Sequence, residues 1–403
     1  MRTEILSASV KATKAGGGMQ IEILMLTLGI MFVVGLVADQ IGRRTKVPRV
    51  TLLLLCGLAA GQFGWMPGAV SETYEFFSVT ALTFVAFLLG GSLKISDLKI
   101  TGRRIFAISM SIVFVTIIVV TFGLIALGFE PGLALVLGTI ATATAPAATA
   151  DVIRQTGITN DFTRTLEGIV AVDDVWGLIA FSLCISFATM GGSDAIDHFA
   201  HPVWREIGGA VLLGLVIGLP GALMTGRIRD GEPLEVEALA LVFLTAGLAL
   251  WAEVSFLLAG MTAGAIIVNF ASHHARAFHE IEHIQWPFMV LFFLLAGASL
   301  DLVALPSVGL LGIAYLLLRI AARIVGGWAG ALAGGAPRSQ RVYYGVALLP
   351  QAGVAVGMAL IAARALPEHA DQIIAVTIGT TIAFELFGPV LTYWAIRRVA
   401  APD

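Results

Sequence analysis

Apolar residues in this chain run in long blocks, with polar residues confined to short stretches between them. Blocks of the roughly 17–25 residues needed to cross a bilayer lie near 20–38, 48–64, 74–93, 105–127, 132–150, 165–188, 205–225, 236–252, 255–272, 284–300, 306–333, 342–363 and 372–396. The pattern predicts an all-α polytopic membrane protein of about 13 transmembrane helices. The eighth and ninth blocks almost merge, and Glu253 between them marks a break. Charge alternates along the connections. Arg43, Arg44, Lys46, Arg49, Lys94, Lys99, Arg103, Arg104, Arg154, Arg164, Arg227, Arg229, Arg276, Arg338 and Arg341 follow odd-numbered spans, with Arg397 and Arg398 in the C-terminal tail, whereas the even connections hold only Arg205 and Arg364. Basic connections stay cytoplasmic. This predicts an inner (plasma) membrane protein with its N-terminus outside and its C-terminus in the cytoplasm.

Two blocks are interrupted at matching places. The fifth reads GLALVLGTIATATAPAATADVI and the twelfth VYYGVALLPQAGVAVGMALIAA, each with a proline near its middle, Pro146 and Pro350. Proline removes a backbone donor and frees a carbonyl. In lipid the freed groups must be satisfied within the protein or a wet cavity. Paired interruptions in two halves point to inverted repeats crossing at a binding site. The candidate repeats are spans 4–6 and 11–13, with two crossed discontinuous helices. Thr142, Thr144 and Thr149 place hydroxyls near the first break, and Gln351 an amide at the second. Ordinary proline kinks are the bland alternative, and the acid pair nearby weighs against them.

Composition sharpens this picture. The 403 residues are 58% hydrophobic and 13% charged, against about 25% charge in soluble domains, and mean hydropathy is +0.93. The net charge of -3 says little about partners. Against this background Asp173-Asp174, inside GIVAVDDVWGLIAFSLCISF, is costly. One acid at mid-membrane costs roughly 2.5–3.5 kcal/mol on insertion scales. Such acids are by default sites for a cation or proton. Arg319 and Arg323 in span 11 are four apart and share a helix face. Each needs a counter-charge or water; the competing expectation is that Arg323 snorkels to the cytoplasmic interface. The buried acids available to them are Asp173, Asp174 and Glu385 of span 13. With one aspartate pinned by an arginine, the other is left to exchange. Asp173 is expected to be the paired one and Asp174 the exchanging one.

The acid pair, broken helices and basic partner together resemble a bacterial sodium/proton antiporter of the cation:proton antiporter superfamily, double-aspartate type. The likeness runs from about residue 20 to 398 and rests on TATATAPAATAD before VDD, FFLLAGASLDL, and RIVGGWAGA followed by LLPQAGVAVGMAL. It implies a homodimer in membrane lipid. Its domains would be an extension (1–19), dimerisation parts (20–100 and 235–303), core parts (101–190 and 304–398) and a linker helix (200–230). The core would move against the scaffold and carry a monovalent cation, Na⁺ first and K⁺ or Li⁺ next, against protons. Asp174, Asp173, Thr142 and Thr144 would bind them, with Arg323, Arg319 and Glu385 compensating charge. Electrogenic relatives usually carry a lysine where Arg323 stands. The double aspartate suggests two protons per cation, and the arginine one.

Other signals are weaker. HEIEH (His279–His283) matches a zinc-protease pattern but reads as a polar turn in a cytoplasmic connection, or as a pH-sensing cluster. Asp151, Glu167 and Asp301 read as surface or capping residues, Glu167 with the option of lining a cytoplasmic funnel. No nucleotide-binding pattern occurs, so neither nucleotide, nucleic acid nor cofactor is expected, and the chain does not read as an enzyme. A sodium-coupled symporter of an organic anion on a similar fold is the alternative; the small residues at the breaks favour a bare ion. Translation is expected to start at Met19, directly before the first span.

Overall fold

A computed structural model describes residues 2–45, 47–67, 70, 73–190, 194–225, 234–271, 274–300, 309–351 and 353–400. Side chains within these are described except at 2–20, 97, 98, 100, 174, 178, 182, 186–190, 194–204, 224–225, 234–235, 274–277, 279–280 and 353.

Among the described residues there are fifteen α-helices and no strand. They are α1 (Arg2–Thr45), α2 (Arg49–Gln62), α3 (Tyr74–Gly91), α4 (Ile95–Ala126), α5 (Pro131–Ile140), α6 (Pro146–Thr156), α7 (Asp161–Met190), α8 (Asp194–Thr225), α9 (Leu234–Trp251), α10 (Phe256–Phe270), α11 (His274–Ala298), α12 (Gly309–Ala333), α13 (Arg341–Ala347), α14 (Gly353–Ala365) and α15 (Ala370–Ala400). Eight are long and apolar enough to cross a membrane. With α5 and α6 together on the fifth predicted block and α13 and α14 together on the twelfth, the fifteen described helices fall on the thirteen blocks read from the sequence. Glu253 takes a left-handed conformation (φ 54°) between α9 and α10 and separates them as anticipated. Two expectations change. The first helix begins at Arg2 rather than near residue 20, and HEIEH lies inside the opening turns of α11 rather than in a connection.

The chain forms two compact units. One contains residues 1–81 and 286–300. Here α2 and the end of α11 meet backbone to backbone: a Cβ on Gly57 would stand 2.1 Å from the Leu294 carbonyl oxygen, and one on Gly297 2.3 Å from that of Leu54. Small residues let helices approach in this way where lipid removes the hydrophobic drive to associate.

The other unit contains residues 82–285 and 301–403. Within it the order long helix, interrupted pair, long helix occurs twice, as α4–α7 and α12–α15. The opening helices of the two repeats run antiparallel in close contact. A Cβ on Gly326 would stand 3.0 Å from Ile112 Cα, one on Gly330 2.5 Å from Ile108 Cα, and one on Gly334 2.9 Å from Arg104 Cα. Ser111 donates to the Gly326 carbonyl across this seam at 2.8 Å. Leu137, Ile140, Tyr315, Met358 and Val376 bring α5, α12, α14 and α15 into one apolar cluster.

Candidate functional site

The first interruption falls at residues 141–145, not on the proline itself. Pro146 is the first residue of α6, where its missing N–H costs nothing. Its ring forces Ala145 into a non-helical conformation (φ −117°, ψ 86°), which keeps the preceding segment unwound. The second interruption spans 348–352 and contains Pro350. It lies against α15 at Gly388, where a Cβ would stand 2.7 Å from Pro350 Cα. Thr392, one turn on, donates to the Ala347 carbonyl at 2.9 Å.

Arg319 and Arg323 answer the freed carbonyls. Both are completely buried. Arg319 donates from Nε to the Ala141 carbonyl (3.0 Å), from Nη2 to that of Ala143 (2.9 Å) and from Nη1 to that of Leu349 (2.8 Å). It therefore ties both breaks together. The Phe384 ring of α15 covers its guanidinium at 4.1 Å. Arg323 donates from Nη2 to the carbonyls of Ala143 (2.9 Å), Ala141 (3.3 Å) and Thr142. Helix C-terminal carbonyls carry partial negative charge, so two guanidiniums at the ends of α5 and α13 are electrostatically apt. The competing expectation, that Arg323 snorkels, is not met: the side chain is completely buried, with Nη2 on the carbonyls of the break and Nη1 on Asp173.

Asp173 is 1% exposed. Its Oδ2 lies 3.4 Å from Arg323 Nη1, and its Oδ1 accepts from Ser109 of α4 at 3.1 Å. Arg323, rather than Arg319, is thus the partner of Asp173. Asp174 follows on α7, and its side chain lies outside the described residues. Gly177, one turn beyond Asp173, faces the first break: a Cβ there would stand 3.2 Å from Thr142 Oγ1. The Thr142 hydroxyl donates back to Thr139 at 2.6 Å, and Thr144 is buried. Gln351 is buried and donates from Nε2 to Tyr315 Oη (3.3 Å) and to the Ile140 carbonyl (3.5 Å). Glu385 is half-buried on α15, and no ion pair joins it to either arginine among the described residues.

Ser109, Gly177, Tyr315 and Phe384 carry no signal in the sequence as members of this site. Only Ser109, a small polar residue inside an apolar span, could have drawn attention.

The acids elsewhere separate into different settings. Asp151 is buried rather than facing solvent. Arg154, instead of being held for Asp151 alone, approaches Glu282 at 3.9 Å. Glu167 lines a cavity of about 310 Å³ with Ser92, Lys94, Thr101 and Arg164, beside Ile105, Val268 and Phe278. His279, Glu280 and Asp301 lie outside the described side chains, and His283 is exposed.

The family model for the transmembrane sodium/hydrogen exchanger matches residues 28–396. The chain belongs to this family. Exchanger relatives are membrane proteins that couple a cation to protons, and this chain is a multi-span membrane protein of that kind. It is 22% identical over 375 residues to the ammonium/proton antiporter subunit AmhT of Alkalihalophilus pseudofirmus, a match covering 91% of this chain and 93% of that protein. It is 27% identical over 180 residues to the Na⁺/H⁺ antiporter NhaP of Pseudomonas aeruginosa, covering 43% of this chain and 42% of that one. In fold it is similar to the sodium proton antiporter MjNhaP1 from Methanocaldococcus jannaschii at pH 8. That likeness has a TM-score of 0.70 at 21% identity and covers 94% of this exchanger and 98% of the solved chain.

Proposed function

We propose that this exchanger moves one monovalent cation, Na⁺ foremost, against one proton, with both competing for Asp174. The observation that carries the reading is the use of both arginines. They consume the carbonyls of Ala141, Thr142, Ala143 and Leu349 that an unwound helix would otherwise offer to a cation. A cation at the crossing is therefore left with side-chain oxygens and water, and the carboxylate of Asp174, next in sequence to the paired Asp173, would be the strongest of these. The name of the full-length relative adds ammonium to the cations to be tested.

Charge balance supports a ratio of one to one. Arg323 is an always-charged partner for Asp173, so Asp173 has no reason to take up and release a proton. That leaves Asp174 as the single exchanging carboxylate. A bound proton and a bound monovalent cation then give the crossing the same net charge. Spans 4–6 and 11–13 would move as the core of an elevator against spans 1–3 and 8–10 in a homodimer, with span 7 as the link. The small Ala, Thr and Gly side chains at the breaks favour a bare ion over the organic anion of a symporter.

The test is recovery of a quenched pH dye in vesicles on adding Na⁺, Li⁺, K⁺ or NH₄⁺. Asp174→Asn is expected to abolish exchange and still elute as a folded protein. Wild-type exchange by this variant would move the ion site away from Asp174. An imposed membrane potential should leave the wild-type rate unchanged; clear acceleration would reject the one-to-one ratio.

A further inference from the structure

The connection after α3 and the first turns of α7 bring unlike charges to one hollow. Lys94 stands just before α4, and Arg164 and Glu167 lie one turn apart near the start of α7. All three line the cavity of about 310 Å³, which lies wholly within the second compact unit. Lys94, Thr159 and Arg164 are exposed and form its mouth, with Ser92 and Thr101 beside them. Its floor is apolar. Ile105 of α4 and Val268 of α10 are buried there. Phe278 of α11 completes the floor, held against Phe87 with ring centroids 5.2 Å apart. Glycines seat two of these side chains: a Cβ on Gly168 would collide with Ile105, and one on Gly91 with the Phe278 ring. A volume of this order, with an apolar lining and a few converging polar groups, has the make-up of a small-molecule site.

Two observations set the hollow apart from the route of the cation. Among the described residues its lining includes none from either break and neither Asp173 nor Ser109. Glu167 precedes Asp173 by about 9 Å along α7, and the contact of Gly168 with Ile105 falls within that interval. The second observation is charge. Two cations against one carboxylate leave the walls with a surplus of one positive charge. No ion pair joins Lys94 or Arg164 to an acid among the described residues. Arg154 and Glu282, whose fields also reach Glu167, pair with each other at 3.9 Å and cancel. Such a surplus repels a cation and draws in an anion.

We infer that this hollow is a cytoplasmic regulatory site for a small soluble organic monoanion with an apolar body. The anionic head sits between Lys94 and Arg164, whose guanidinium fork suits an oxyanion, and the body lies on Ile105, Val268 and Phe278. One negative charge balances the walls, and Glu167 disfavours a dianion as a like charge. The basic connections place the mouth at the cytoplasm. The walls come from both sides of the proposed stroke: Thr101, Ile105 and Arg164 from the core, Lys94, Val268 and Phe278 from the scaffold. An occupant gripped by both holds them at one relative position and arrests exchange without entering the ion site. The effect on transport rests on the exchanger reading above; the binding does not.

Benzenesulfonate, a permanent monoanion with an apolar ring, is the probe. Purified protein in detergent should show a saturable rise in unfolding temperature with its concentration, at constant ionic strength, and neutral benzenesulfonamide should give none. Lys94→Gln with Arg164→Gln should raise the half-saturating concentration at least tenfold; if that pair fails to assemble, Lys94→Gln alone is read by the same criterion at threefold. In everted vesicles the probe should lower the maximal rate of Na⁺-dependent proton flux at least threefold and leave the KM for Na⁺ within twofold. Right-side-out vesicles, with the probe outside, should be unaffected. No saturable shift, or an equal shift in the glutamine variant, would overturn the site. A raised KM for Na⁺ at unchanged maximal rate would also overturn it, by placing the anion on the cation's own route. Inhibition present in phosphatidylcholine vesicles and lost on adding phosphatidylglycerol would reassign the hollow to a lipid headgroup. A wild-type protein without cation-dependent proton flux would defeat the exchanger reading, while the unfolding series would still decide the binding.

Discussion

At the first break the helix stops at Ile140 and resumes with Pro146; at the second it stops at Ala347 and resumes at Gly353, with Pro350 inside the gap. The first has carbonyls held by two guanidiniums, through Ala141, Thr142 and Ala143. The second gives only Leu349 to Arg319, packs Pro350 against Gly388, and leaves the Gln351 carbonyl without a partner. Near-symmetric interruptions thus do different work. One anchors fixed charge beside Asp173, and the other keeps polar atoms in reserve.

The largest expected effect comes from the anchor. Arg323→Leu leaves Asp173 buried without its counter-charge, and stability should fall by about 3–5 kcal/mol in thermal unfolding in detergent. Adding Asp173→Leu should recover more than half of that loss, because a buried ion pair replaced by apolar groups is often near neutral, while transport stays absent. A single variant melting like wild type would mean that the first break is not held by this pair. At the second break the constraint is steric. Gly388→Ala should cost about 1–3 kcal/mol by overpacking, whereas Gly208→Ala, with open space around it, should be nearly silent in the same assay. The smallest effect belongs to the first proline. Pro146→Ala should cost only about 0.4–1 kcal/mol, through the freedom it returns to the unfolded chain, with exchange intact. A large loss there would erase the contrast between a proline that opens a helix and one that sits within a gap.

The spans and both interruptions were legible because lipid imposes length and satisfaction rules that a sequence must display. Glu253 marked the α9–α10 break for the same reason. The buried arginines were also visible as a problem needing a solution. What could not be read was the solution. The choice of Arg323 over Arg319 for Asp173, and the use of backbone carbonyls as the other partners, depend on how α12 lies across α5 and α13. Ser109, Gly177 and Phe384 join the site through helices distant in sequence. Glu385, grouped with the buried bases in the sequence, makes no ion pair with either arginine among the described residues.

The glycines at 326, 330 and 334 press α12 against the main chain of α4, with Ile108 and Arg104 at the floor of the contact. Such a joint has no side-chain cushion to deform, so sliding one helix along the other would lift the whole ladder at once. The two repeats are in effect riveted. Under the proposed exchange both interrupted helices would therefore travel together, with the guanidinium clasps closed throughout.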